Sequence, residues 1–335
     1  MRPRPSPSTL SAATVALVLL LGASACAGAP EPPAGAAPAG APGFPVEITS
    51  CGHTSTLESP VRRGVTMNQG ATEVALALGV EDQLVGTAYL DDAVAGRWAD
   101  AYAAVPVLST QYPTREELLA TGPDLVYGAY VSAFDAGAAG SREELEGSGT
   151  AAYLSPFACE DDDLRPAPSF EAVWDEVDAV AAAFGVPERA ERLRAEQQQQ
   201  LADLAAAEAG ADLDVLWYDS GDRTPYVGAG AGGPQLVLDA VGATNVFADQ
   251  PGGWVEASWE KVVVADPDVI VLADAAWSSA ADKIAYLESD PVLSTLGAVR
   301  EQRYVRVPFS ESTPGVRLVD GASSVAARLT RLSGS

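Results

Sequence analysis

The chain has 335 residues, with 46 acidic against 20 basic side chains and a formal net charge of −26. That excess of negative charge favours solubility and argues against nucleic acid or anionic lipid headgroups as partners. A single histidine, His53, excludes a His-rich zinc or manganese centre and leaves a Ser–His or Cys–His nucleophile without its base.

Residues 1–26 read as a leader. Arg2 and Arg4 precede an apolar run at 12–21, too short to span a bilayer comfortably, and Ala23-Ser24-Ala25 leads to Cys26. The pattern resembles a bacterial lipoprotein signal in which Cys26 is lipidated and becomes the new first residue. Ala23 stands where that pattern usually has Leu, and plain secretion with cleavage nearby is the alternative. Residues 27–45 are mostly Ala, Gly and Pro, cannot bury a core, and read as a flexible tether. Such an anchor places the protein on the outer face of the cytoplasmic membrane, with the lipid as its only membrane contact. Abundant Ala, and Arg in place of Lys, suggest a high-GC bacterium. The remaining pair, Cys51 and Cys159, reads as a disulfide in an exported chain, with two unpaired buried thiols as the alternative.

Residues 46–168 alternate strands with single helices. Residues 61–67 and 83–89 read as strands, and 71–78 as a short apolar helix stopped by Gly79. Thr114-Arg115-Glu116-Glu117 and Ser141-Arg142-Glu143-Glu144 are capping boxes. Each opens a helix that leads into an apolar strand, at 124–130 and 150–155. Residues 169–210 are helical: 169–184 ends at Gly185, and Pro187 opens a rod of about 30 Å. Leu193, Gln197, Leu201, Leu204 and Glu208 share one stripe of it. Residues 211–335 resume the alternation, with strands at 213–218, 225–228, 268–273 and 304–307. Helices are expected at 234–241, 258–265, 280–287 and 315–332. Strands separated by single helices predict α/β lobes with parallel sheets covered on both faces.

One phrase occurs twice. Glu116, an apolar turn with Leu118 and Leu119, Pro123-Asp124 and the strand Leu125-Val126-Tyr127 are matched by a second copy. There Glu260 is followed by Val262, Val263, Pro267-Asp268 and Val269-Ile270-Val271. Each Glu stands seven residues before its Pro, and the copies lie about one domain apart. Two lobes built alike imply a cleft between them, and a cleft implies a ligand.

These residues resemble the substrate-binding proteins of ABC importers, in the cluster that serves iron-siderophores, haem and cobalamin. The likeness spans about residues 61–332. It rests on Gly70-Ala71-Thr72-Glu73 with Ala77-Leu78-Gly79, Leu84-Val85-Gly86, Pro123-Asp124-Leu125-Val126, Gly242-Ala243-Thr244-Asn245-Val246-Phe247 and Pro267-Asp268-Val269-Ile270. It implies two Rossmann-like lobes joined by a single long helix, a class III arrangement that closes little on its ligand. It implies no catalysis, no resident cofactor, and a permease with its ATPase as partner of a monomeric protein. It also implies one Glu on top of each lobe to pair with permease Arg residues. Glu73 and Glu260 match that role, with Glu256 as the rival for the second lobe. More narrowly, Asn68-Gln69-Gly70-Ala71-Thr72-Glu73 followed by Gly86-Thr87-Ala88-Tyr89-Leu90-Asp91-Asp92 looks like an actinobacterial subgroup sometimes assigned to a deazaflavin-cofactor precursor.

Loops at the C-terminal ends of the strands are expected to line the cleft. The first lobe offers Asn68, Gln69, Tyr89, Asp91, Asp92, Tyr112, Tyr130 and Phe134. The second offers Trp217, Tyr218, Arg223, Tyr226, Trp254, Trp277 and Arg317. Aromatic faces with a few charges suit a large, flat or chelated ligand, and Arg223 and Arg317 suit its carboxylates or phosphate. Bare ferric iron on Tyr and Asp ligands ranks below a chelate, and no protein-held metal site is expected. His53 reads as a surface or packing residue. Neither a GxGxxG turn nor a phosphate loop ending in Gly-Lys-Ser/Thr occurs, so nucleotide chemistry lacks support. Two other classes are weighed: a lipid-anchored hydrolase working through carboxylates, with Asp91 and Asp92 as its cluster, and a sensor module or adhesin on the same scaffold.

Overall fold

Two sheets with helices on both faces carry the chain, in a computed structural model that describes residues 41–333. The leader, Cys26 and most of the tether lie outside the described residues. The chain enters through an antiparallel hairpin of β1 (Val46–Ser50) and β2 (His53–Leu57). The first sheet follows, with β3 (Gly64–Met67), β4 (Leu84–Ala88), β5 (Val107–Ser109), β6 (Leu125–Gly128) and β7 (Ala151–Leu154) all parallel, in the order β5-β4-β3-β6-β7. Alternation along these strands feeds two cores. Val65, Met67, Val126 and Leu154 face one, and Leu125, Tyr127 and Tyr153 face the other.

The connecting helices are α1 (Gln69–Ala77), α2 (Ala99–Ala104), α3 (Arg115–Ala120) and α4 (Arg142–Gly147). Both capping boxes are present: Thr114 accepts from the Glu117 amide and Ser141 from the Glu144 amide, with each Glu reaching back. Two long helices then run to the second sheet, α5 (Phe170–Phe184) and α6 (Pro187–Ala207). Gly185 sits at φ 72°, the left-handed conformation that lets α5 stop and the chain turn directly into α6. Of the α6 stripe, Gln197 alone is fully buried. Glu208 lies exposed at φ 45°, where it ends the rod instead of continuing its face.

The second sheet is mixed, which corrects the expectation of a parallel one. β8 (Asp214–Ser220), β12 (Val269–Asp274) and β13 (Tyr304–Pro308) are parallel, and short β10 (Thr244–Asn245) joins β8. However, β9 (Tyr226–Gly228) returns antiparallel to β8, and β11 (Trp254–Glu256) antiparallel to β9. The linker at 221–225 is too short for a crossover helix, so a hairpin is the only connection available. Helices α7 (Gly233–Ala240), α8 (Trp259–Ala265), α9 (Ala280–Ser289), α10 (Gly297–Arg300) and α11 (Leu318–Ser333) cover the faces. Trp217, Val215 and Val305 pack on the α7–α11 side, and Tyr218, Ile270 and Leu272 on the α9 side. No helix among the described residues is long and apolar enough to cross a membrane.

The repeated phrase has one structural meaning in both sheets. The Asp124 carboxylate accepts the amides of Arg62 (2.8 Å) and Arg63 (3.0 Å) just before β3. Asp268 accepts the amide of Asp214, the first residue of β8, at 2.9 Å. In each case the Asp that opens one strand fastens the start of its neighbour, and so sets the register of a parallel pair.

Cys51 and Cys159 form the expected disulfide, which ties the β1–β2 turn to the segment after β7 across 108 residues. His53 packs beside it against Glu143 and Glu146. Replacing both cysteines by Ser is expected to lower the unfolding free energy by about 2–4 kcal/mol, because the open chain regains loop entropy. Urea denaturation of oxidised protein and variant measures this, and an unchanged midpoint contradicts it.

Candidate functional site

Where the two sheets face each other the structure encloses a cavity of about 420 Å³. The first-sheet side supplies Gly70 and Val74 from the start of α1, Tyr127, Ala129 and Tyr130 from the end of β6, and Ser155, Phe157 and Ala158 after β7. These are C-terminal strand ends, where open parallel sheets leave their crevice. Arg165 and Pro168, before α5, and Glu176 of α5 close the floor. The second-sheet side supplies Ala231, Gly232, Gly252, Gly253 and Trp254, with Thr313, Pro314 and Gly315 after β13. Glycines here let backbone approach backbone: a Cβ on Gly232 would fall 2.6 Å from the Gly253 Cα.

Glu176 is the unusual member of this wall. Its helix presents Val173, Trp174, Val177 and Val180 to the core, and Glu176 lies on that same face at 4% exposure. The Tyr127 hydroxyl donates to it at 2.7 Å. Burial raises its carboxyl to about 7, against the opposing effect of bonds from Tyr127 and Ser155. Across the cavity the Trp254 Nε1 is buried with no hydrogen-bond partner.

A polar cluster adjoins the cavity, sharing Gly70, Tyr130, Thr313 and Gly315 with it. Arg317, 6% exposed, comes from the second-sheet side and reaches Glu73 of α1 at 3.3 Å. It also pairs with Glu311, donates to the Ser310 hydroxyl at 2.9 Å, and lies 3.4 Å from Asp320. Burial works against the Arg317 charge, but Glu73, Glu311 and Asp320 outweigh it and hold its pKa above the ordinary value. Burial pushes Glu73 up to about 7, with Arg317 pulling the other way. Two further bonds span the halves: the Ser310 amide donates to Asp92 at 3.0 Å, and Arg97 pairs with Asp320 at 2.7 Å. Val316 inserts into the core beneath the first sheet, and its carbonyl accepts from Gln197 of α6 at 2.8 Å. Gln197 in turn accepts from Trp174 of α5 at 2.7 Å.

The sequence-predicted residues divide sharply. Tyr130 and Trp254 line the cavity, and Gln69, Asp91 and Arg317 line the adjoining cluster. Gln69 bonds both the carboxylate and the amide of Asp92, and the Tyr130 hydroxyl donates to Asp91 at 3.4 Å. Burial, and then Asp92, raises Asp91 to about 6. Asn68 holds the start of α1 at φ 72° and donates to the Tyr112 hydroxyl, which packs edge-on to Tyr89 at 4.7 Å. These three support the cluster from behind.

Several expectations are corrected. Trp217 and Tyr218 are fully buried in the second-sheet cores, and Phe134 packs in the first. Arg223 and Tyr226 are exposed at the β8–β9 turn, because β9 runs antiparallel and carries them away from the end where Trp254 pairs with Gly228. Trp277 is 58% exposed and rests against Phe309. Glu73, expected as an exposed docking carboxylate, is buried and held by Arg317. Glu260 is exposed in the first turn of α8, as is Glu256 at the end of β11. Sequence reasoning missed Glu176, although a carboxylate on the apolar stripe of a helix is itself a signal. It also missed the glycine pairs, which no side-chain chemistry announces.

A carbon-walled cavity between two α/β halves, bridged by polar contacts and joined through a long helix, defines a protein that encloses a small solute. The chain belongs to the periplasmic binding protein family, whose model matches residues 65–310. It is 25% identical over 289 residues to an uncharacterized ABC transporter substrate-binding lipoprotein of Bacillus subtilis, covering 84% of this chain and 85% of that one. A vitamin B12-binding protein of Vibrio parahaemolyticus is 23% identical over 242 residues, covering 70% and 81%. The solved structure of an ABC-type Fe3+-hydroxamate transport system protein from Saccharomonospora viridis superposes with a TM-score of 0.70 at 25% identity, covering 85% and 99%. The family's members serve transport by binding solutes.

Two tests follow from the buried charges. Arg317→Met leaves Glu73 and Glu311 buried without their cation and is expected to cost about 3–5 kcal/mol in unfolding free energy, read from urea denaturation. A loss below about 1 kcal/mol would show that the cluster does not hold the halves together. Glu176 favours its neutral form when folded, so its contribution to stability is complete below about pH 4.5 and is lost as pH rises through about 7. Glu176→Gln is therefore expected to flatten the decline in stability between about pH 5 and about pH 8. Parallel slopes for variant and parent contradict this.

Proposed function

We propose that this protein is the capture component of an ABC importer, exported, tethered through Cys26 and monomeric. In this reading it encloses a chelated-iron or related cofactor-like ligand and delivers it to a permease without altering it. The observation that carries the reading is the cavity itself, walled by both halves, so that an occupant favours the closed arrangement over an open one. The ligand class is supported by the relatives, one named for vitamin B12 and one for a Fe3+-hydroxamate system. Asp92 is held by Gln69 and Ser310 and Asp91 by Tyr130, structural engagements that favour binding over hydrolysis. Adding a ferric hydroxamate, a corrinoid, haem or a deazaflavin precursor is expected to change Trp fluorescence through Trp254 and raise the melting temperature. If none of the four binds below about 100 μM, the ligand class is wrong.

Permease docking falls to the repeated phrase. Glu116 and Glu260 each occupy the second position of a short helix, after Thr114 and Ser258 as caps, and both are exposed. Carboxylates fixed at two helix starts suit paired Arg residues on a membrane partner. Glu116→Ala with Glu260→Ala is expected to abolish uptake in cells while ligand affinity stays within about twofold, a change under 0.5 kcal/mol. Normal uptake by the double variant removes these residues from docking.

A further inference from the structure

On the cavity wall one buried polar group lacks a counter-charge and another lacks a hydrogen-bond partner. Among the described residues Glu176 has no cation within ion-pair distance, although it is almost fully buried and faces the cavity. Arg165 lines the same space, but its guanidinium is turned to the Cys159 carbonyl and to Asp162 at 2.8 Å. The Trp254 Nε1–H, on the opposite half, has no acceptor. Tyr127 and Ser155 both bond Glu176, and an ionised carboxylate, with about four acceptor positions, has room for further donors. Beyond those two bonds, Glu176 borders empty space of about 420 Å³. Buried polar groups of this kind are costly unless something completes them.

We propose that the ligand carries a protonated nitrogen, an ammonium or guanidinium, received by Glu176 at the floor of the cavity, and an acceptor oxygen received by the Trp254 indole from the other half. A ligand satisfying both groups bridges the two halves, and its charge makes the cavity selective against neutral ligands of the same shape. The proposal rests on the solute-binding reading and narrows its ligand class.

The test uses the full chain and two probes: a ferric trihydroxamate bearing a free primary ammonium, and the same chelate with that nitrogen acetylated. Calorimetry of the parent is expected to show the ammonium form binding at least about tenfold more tightly. Glu176→Gln keeps the acceptor for Tyr127 and is expected to erase that preference, bringing the two forms to equal affinity. Binding of the acetylated probe also reports that the variant is folded. Trp254→Phe is expected to weaken both forms alike, and unchanged affinity would remove the indole from the proposal. Equal binding of the two forms by the parent overturns the proposal, and so does failure of both to bind. A corrinoid or haem that binds under those conditions leaves the import reading standing. Silence from every probe sinks that reading as well.

Discussion

A single buried guanidinium bridges the two halves of this molecule. Arg317 emerges from the loop before α11, crosses to the first half and satisfies Glu73, while Glu311 and Asp320 hold it from behind. Three carboxylates around one cation make an arrangement in which each member depends on the rest, since removing the cation strands buried acids. Arg97 supplies the second positive charge by pairing with Asp320, and the Ser310 amide adds a tie by donating to the Asp92 carboxylate. These contacts belong to the cluster beside the cavity, and the two linings share Gly70, Tyr130, Thr313 and Gly315. The forces that bring the halves together are therefore partly intrinsic, and a ligand adds to them.

What Arg317 holds is two stiff bodies. Each sheet is covered on both faces, with fully buried side chains such as Met67, Val126, Trp217 and Ile270 filling the layers. Such cores shift as units rather than deform. Among the described residues the chain passes from one sheet to the other once, through α5 and α6. Gln197 of α6 grips Trp174 on one side and the Val316 carbonyl on the other, so the rod is fastened to both bodies near the loop that carries Arg317. Motion about such a rod is expected to be small, since any opening must release Gln197, Arg317 and Val316 together.

Much of this was legible in the sequence because it depends on local chemistry. Capping boxes at Thr114 and Ser141, the Gly185 stop and the Pro187 start act within a few residues, and each lies where the pattern put it. The repeated Pro-Asp phrase was visible too, though its bonds to Arg62, Arg63 and Asp214 were not. The site was harder to read. Tyr218 and Trp217 look like binding aromatics, but strand β8 lies at the centre of its sheet and both of its faces are buried. Arg223 was misplaced because the antiparallel return of β9 is decided by a short linker and by pairing partners distant in sequence. Glu73 looked like a surface acid because its partner, Arg317, lies in the other half of the chain.

The Cys51–Cys159 bond has a consequence for timing. Phe157 and Ala158, which wall the cavity, directly precede Cys159, and the Cys159 carbonyl also receives Arg165. In a reducing cytoplasm that rim is unfastened, and it is completed only when the thiols meet an oxidising environment. The bond thus ties one wall of the cavity to the entry hairpin, and its reduction would leave that wall to its noncovalent contacts alone.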